Sequence, residues 1–257
     1  MRPTLEQIRS WAVQAGAILR AGYGRQLDIQ YKGAINLVTD VDQRSEAYLL
    51  GEINAAFPEH TIITEESGLH QGNRSQCWYI DPLDGTVNYA HAIPVFCVSI
   101  AYAEDGVLLM GVVYDPMRDE CFSAERGQGA YLNGERLTVS AAADLLHCLM
   151  ATGFPYDRQT ARVNNLDNFT RLTMLTQGVR RLGSAALDLC YVASGRLDGY
   201  WELSLEPWDV AAGVLIVEEA GGVVSRMSGT GNLLEKPISV VAANPVIHPL
   251  LLAELKA

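Results

Sequence analysis

Apolar residues near the start of the chain recur at helical spacing. Leu5, Ile8, Trp11, Ala12, Ala15 and Ile18/Leu19 share one face over residues 4–21, and Gly22 and Gly24 end the run. A second helical pattern covers 40–57, with Ala47, Leu49, Leu50, Ile53 and Ala56 apolar and Phe57-Pro58 as its stop. TIITEES then reads as a short strand running into a turn, SGLHQGNRSQ as a polar loop, and CWYI as a short buried strand that stops at Asp81-Pro82. From Val95 the segments VFCVSIAYA, VLLMGVVYD, ECFSAERG and GAYLNG fit an antiparallel meander. Its turns fall at Glu104-Asp105-Gly106, Asp115-Pro116 and Gly127-Gln128-Gly129. After residue 141 helical and strand-like stretches alternate: strand-like LHCLMATGF, a helix over 160–176, GVRRLG, a helix over 184–194, strand-like LDGYWELS, and a helix over 207–219 closed by Gly221 and Gly222. GGVVSRM and ISVVAAN read as strands, and a short helix follows Pro249. The pattern predicts an α+β protein with an α/β second half. Residues 1–140 carry a helix pair against an antiparallel sheet and residues 141–257 an α/β domain, with no repeat and no long linker between them.

Composition adds bounds. The chain has 257 residues, 49% hydrophobic and 19% charged, which is ordinary globular usage rather than that of a disordered chain. Its 19 basic and 30 acidic residues give a net charge of −11, a field that repels nucleic acid and anionic membranes, so neither is expected as a partner. No apolar run approaches the roughly 20 residues that cross a bilayer. The opening MRPTLEQIRSWAVQAGAIL is broken by Glu6 and Arg9 and lacks the form of a signal peptide, so a cytoplasmic location is expected. Cys77, Cys97, Cys121, Cys148 and Cys190 are odd in number and widely spaced without CxxC, which reads as reduced structural thiols.

The same acidity would repel a phosphate unless cations neutralise part of it. The informative stretch is WYIDPLDGT, in which a hydrophobic strand delivers Asp81 and Asp84 into a turn. Pro82 fixes its own φ, Gly85 permits a tight turn, and Thr86 is placed to cap a short helix whose first N–H groups are free for an anion. Hard divalent ions bridge such carboxylates to phosphate oxygens. Asp40 and Asp42 in LVTDVD, Glu65 and Glu66 in TEES, and Asp209 in EPWDVAAG are further acids. Each has a plainer reading: turn chemistry for Asp81 and Asp84, a solvated turn for Glu65-Glu66, a dipole-favoured helix residue for Asp209. Spacing alone leaves both readings open. Five histidines with no HExxH give a zinc hydrolase little support, and His91 reads as structural. Gly127 and Gly129 in RGQGAYLNG lack GxGxxG spacing and a following helix, and read as a hairpin turn.

LVTDVD at 37–42, TEES at 64–67, DPLDGTVNYAH at 81–91, GFPY at 153–156, GSAA at 183–186, DGYWE ending at Glu202 and PWDVAAG at 207–213 together resemble the inositol monophosphatase family. The likeness covers nearly the whole chain in order. It implies a layered αβαβα sugar-phosphatase fold, lithium sensitivity, a homodimer, and roughly two to three Mg²⁺ ions per chain. By motif position it implies that Glu65, Asp81 and the Leu83 carbonyl hold one ion, and that Asp81, Asp84 and Asp209 hold a second, with a third leaning on Glu65. Thr86 and Glu65 would position the nucleophilic water, Asp42 would accept from Thr86, and Glu66 would be supporting. Gly85 and Thr86 would receive the phosphate, while Glu202, Ser184, Ala185 and Asp209 would line the substrate pocket. Lys32 and Asn36 would belong to a candidate flap over residues 31–42. The implied reaction is hydrolysis of inositol monophosphate by metal-activated water with in-line displacement. Fructose 1,6-bisphosphate, other sugar or polyol phosphates, adenosine 3′,5′-bisphosphate, histidinol phosphate and NADP are alternative substrates. Arg180 and Arg181 are the candidates for a second phosphate. A regulatory, RNA-related binding role is the alternative from another class.

Overall fold

Local hydrogen bonds start the first two helices. In the structure, a computed structural model describing residues 2–25, 29–31 and 37–256, helix α1 spans Leu5–Gly22 and opens on a capping box between Thr4 and Gln7. A ribbon of β1 (Ile29–Tyr31) and β2 (Leu37–Thr39) leads into α2 (Asp40–Ala56). There Thr39 Oγ1 accepts from the Val41 N–H, and the Asp42 carboxylate accepts the Thr39 N–H at 2.9 Å. Lys32 and Asn36 lie outside the described residues.

The chain then builds β3 (His60–Thr64), β4 (Gly68–His70), β5 (Asn73–Asp84), α3 (Thr86–Ala90), β6 (Cys97–Glu104), β7 (Val107–Asp115), β8 (Glu120–Glu125), β9 (Gly129–Leu132) and β10 (Glu135–Arg136). These strands form an eight-stranded sheet in the order β10-β9-β8-β7-β6-β5-β3-β4. The meander from β5 to β10 is antiparallel, but β3 runs parallel to β5, so the sheet is mixed. Two strand assignments change. The expected polar loop contains β4, a three-residue edge strand. Strand β5 starts at Asn73 and runs through Pro82 rather than stopping there, because a register shift between Asp81 and Asp84 frees Pro82 from the ladder.

The second sheet comprises β11 (Leu149–Thr152), β12 (Gly178–Arg180), β13 (Gly199–Leu205), β14 (Val223–Ser225) and β15 (Ile238–Ala243), ordered β12-β11-β13-β15-β14. Its helices are α4 (Leu166–Leu175), α5 (Ala185–Ala193), α6 (Pro207–Glu219) and α7 (Ile247–Glu254). Helix α4 begins later than its periodicity predicts. Asn165 stands before it at φ 71°, donating to Thr152 Oγ1 and Gly153 O and accepting from Trp201 Nε1, so tertiary bonds set the start. Helix α7 takes Pro249 into its first turn, where no N–H is needed.

Five layers result. Helices α1 and α2 pack on the outer face of the eight-stranded sheet, α5 and α6 lie between the sheets, and α4 and α7 cover the five-stranded sheet. Every residue from Val210 to Val217 of α6 is buried, the all-round apolarity of a helix with sheet on both sides. This is the layered αβαβα architecture. All five cysteines are free and buried. Among the described residues, no helix is long and apolar enough to cross a membrane.

Candidate active site

Asp81 and Asp84 reach the surface of one cavity because the β5 irregularity turns the strand end out of its ladder. Gly85 then takes φ 96°, and a Cβ there would lie 2.9 Å from Val95 O, so both the turn and the close approach require glycine. Gly85, not Thr86, is therefore the N-cap of α3, and no side chain caps it. The Thr86 hydroxyl lies instead 3.1 Å from Asp42 Oδ1 and 3.0 Å from Leu83 O. Asp42 is fully buried, and burial raises its carboxyl to about 6.

The cavity has a volume of about 370 Å³. Glu65, Asp81, Leu83, Asp84, Gly85, Thr86, Ser184, Ala185, Glu202 and Asp209 all line it. Each acid is oriented by its own element. Glu65 follows β3 in a turn held by buried Glu46 of α2, which accepts from Thr64 Oγ1 (2.6 Å) and from the Glu66 and Ser67 N–H groups (3.0 Å each). Asp81 Oδ1 accepts from the Leu83 N–H (2.9 Å). Asp84 Oδ2 lies at the start of α5, accepting from Ser184 Oγ (2.6 Å) and the Ala186 N–H (2.8 Å). Asp209 is the third residue of α6 and completes its capping box, accepting the Glu206 N–H at 2.7 Å.

Burial raises Asp84 to about 6, and raises Asp81 and Asp209 well above the usual carboxylate range, with neighbouring acids adding to each. The donors are all hard oxygens, and each of these three aspartates is hydrogen-bonded through one named oxygen. Such a set suits Mg²⁺ or a similar cation, which would relieve the repulsion. Among the described residues, no three His, Cys, Asp or Glu side chains close into a finished metal cage.

Glu202, on β13, also lines the cavity and is seated against Gly153. A Cβ on Gly153 would fall 2.0 Å from Glu202 Oε1, and Tyr200 donates to Oε2 at 2.6 Å. Arg181 and Lys236 line the cavity, whereas Arg180 does not. Lys236 pairs with Glu206 and stands 5.9 Å from the Trp208 ring centroid. His91 is exposed at the end of α3 and does not line the cavity. Sequence reasoning missed Glu46, Asp188 and Lys236. Glu46 and Asp188 had a visible signal, an acid on the apolar face of a helix; Lys236 had none.

Burial raises the Glu202 carboxyl from 4.5 to about 7, against the Tyr200 bond and the charge of Arg181. The unfolded chain releases that proton first. Between about pH 4.5 and about pH 7 the native state holds more protons, so this group's contribution to stability is lost as pH rises. Glu202→Gln is expected to flatten the fall by about 2 kcal/mol in metal-free denaturant melts at pH 5 and 7.5. An unchanged slope would refute it.

The sequence profile of the Inositol monophosphatase family matches residues 1–257. The chain belongs to the inositol monophosphatase family. An inositol-1-monophosphatase of Synechocystis sp. is 50% identical over 223 residues, covering 86% of this chain and 78% of that protein. Nus factor SuhB of Escherichia coli (strain K12) is 44% identical over 259 residues, 100% of this chain and 97% of its own. The solved inositol monophosphatase from Anabaena (Nostoc) sp. superposes with a TM-score of 0.89 at 44% identity, covering 97% of this chain and 94% of that one. Membership makes this chain a phosphatase with inositol-monophosphatase-like activity.

Proposed function

We propose that the protein hydrolyses the monophosphate of a small polyol, inositol monophosphate foremost, with Mg²⁺. The observation that carries this reading is one cavity lined both by four metal-type acids (Glu65, Asp81, Asp84, Asp209) and by the Glu202 carboxylate seated against Gly153. Glu65, Asp81 and the Leu83 carbonyl would hold one ion, and Asp81, Asp84 and Asp209 another, with a third at Glu65. Bound there, Mg²⁺ would lower the pKa of an attacking water and neutralise the charge that develops in an in-line displacement. The chain does the positioning. Asp42 and the Leu83 carbonyl hold the Thr86 hydroxyl, which with Glu65 orients the water. Gly85 and Thr86 meet the phosphate, and Glu202, Ser184 and Ala185 meet the polyol. A homodimer, lithium inhibition and a cytoplasmic location belong to the same proposal.

Fructose 1,6-bisphosphate is the leading alternative substrate, because Arg181 lines the cavity and could meet a second phosphate. A regulatory role through binding partners is a second reading, favoured by the relative named Nus factor SuhB, which matches along all of this chain. Phosphate release tests these readings together. The panel is inositol 1-phosphate, glycerol 2-phosphate, fructose 1,6-bisphosphate, adenosine 3′,5′-bisphosphate, histidinol phosphate and NADP, each with Mg²⁺ and with chelator. The expected result is Mg²⁺-dependent preference for inositol 1-phosphate. Preference for another member overturns the polyol assignment, and no Mg²⁺-dependent release from any of them favours the regulatory reading.

A further inference from the structure

Helix α5 reads AALDLCYVA, every residue of which is buried, and Asp188 is the single charged residue in it. Its exposure is 1%, yet it forms part of the cavity wall shared with Glu202, Gly153 and Arg181. The Asp188 N–H is used by the helix, donating to Ser184 O at 3.0 Å. The side chain is different. Oδ1 is buried without a hydrogen-bond partner among the described residues, and Arg181 is the cation that favours the ionised form of the group. A buried carboxyl group left unsatisfied costs free energy, where an apolar side chain of that size would stabilise, and a helix packed on all sides has no structural need for one. A group kept at such a cost in a cavity wall is explained by a donor that arrives with the ligand.

Resting on the polyol reading above, we propose that Asp188 is a specificity-determining residue: it accepts a hydrogen bond from a substrate hydroxyl beside the one taken by Glu202. Glu206 also lines the cavity with a buried oxygen that has no hydrogen bond, but that oxygen is paired with Lys236, which leaves Asp188 as the cavity acid with an uncompensated oxygen among the described residues. Glu202 already receives the Tyr200 hydroxyl, which leaves it less acceptor capacity for two neighbouring hydroxyls. A pair of acids, one on α5 and one on β13, can take adjacent hydroxyls of a ring. A phosphate monoester lacking hydroxyls gains nothing from Asp188.

The test compares inositol 1-phosphate with phenyl phosphate, which carries the phosphate and no hydroxyl, in the full-length protein with Mg²⁺. For Asp188→Ala the expected result is a KM for inositol 1-phosphate raised at least ~10-fold. The kcat and KM for phenyl phosphate should stay within about twofold. Asp188→Asn keeps the shape and one acceptor, so it is expected to fold and to lower the preference less than alanine does. A preference that is unchanged in either folded variant overturns the inference while leaving the polyol reading intact. Equal losses on both substrates also overturn it, since they mark a structural role. A wild-type protein with no preference for inositol 1-phosphate over phenyl phosphate overturns the polyol reading and this inference together.

Discussion

Asp84→Asn is expected to lower kcat by about 10³-fold or more, about 4 kcal/mol of transition-state stabilisation, while the protein folds normally. Shape is conserved: an amide oxygen can accept from Ser184 Oγ and the Ala186 N–H where Asp84 Oδ2 does now. What is lost is charge. Burial already raises Asp84 to about 6, so near neutral pH its ionised form is held at a cost among Glu65, Asp81 and Asp209. Removing it relieves that repulsion, and the metal-free melting temperature should rise by a few degrees. Calorimetric titration with Mg²⁺ should show weaker binding than wild type. A variant that keeps both its rate and its Mg²⁺ affinity would remove Asp84 from the proposed ligand set. A variant with a lowered melting temperature would show that the carboxylate is needed by the fold.

The second large effect is expected from Gly153→Ala. The added methyl carbon would sit 2.0 Å from Glu202 Oε1 and 2.1 Å from Oε2, so one of the two must move. The glycine backbone is anchored, because Gly153 O accepts from buried Asn165, which also binds Thr152 and Trp201. The Glu202 carboxylate is the far end of a flexible side chain, and it should give way. It would leave Gly153 and its Tyr200 bond, and the polyol end of the cavity would lose its oriented acceptor. Preference for inositol 1-phosphate over phenyl phosphate should fall about 10- to 100-fold, with kcat for phenyl phosphate near wild type. The melting temperature should drop only slightly, by what about 1 kcal/mol produces in a chain of this size. Unchanged selectivity in a folded variant would show that the seat of Glu202 does not serve substrate choice.

Much of the fold is legible because its signals are local. The first two helices, the Pro207-Asp209 helix start and the β6–β9 meander depend on residues close in sequence, and each appears where the pattern predicts. Where the pattern misleads, long-range partners decide. The start of α4 is set by Asn165 bonding to Thr152, Gly153 and Trp201, none of which its own periodicity records. Strand β4 carries no alternating pattern because it is a three-residue edge strand, and an edge is a property of the assembled sheet.

The site divides the same way. The sequence by itself determined the family, the acids in TEES, DPLDGT and WDVAAG, and the Gly85 turn, because those motifs carry their chemistry in a few adjacent residues. Only the tertiary structure decided that Glu46 holds the turn bearing Glu65, that α5 receives Asp84 on its first turn, and that Gly153 leaves room for Glu202. It also decided that Asp188, to the sequence an acid on the apolar face of a helix, is buried in the cavity wall with its Oδ1 lacking a hydrogen-bond partner among the described residues. The physical reason is that burial and partnership arise from segments far apart in the chain, and a single charged letter means one thing in water and another in a wall from which water is excluded.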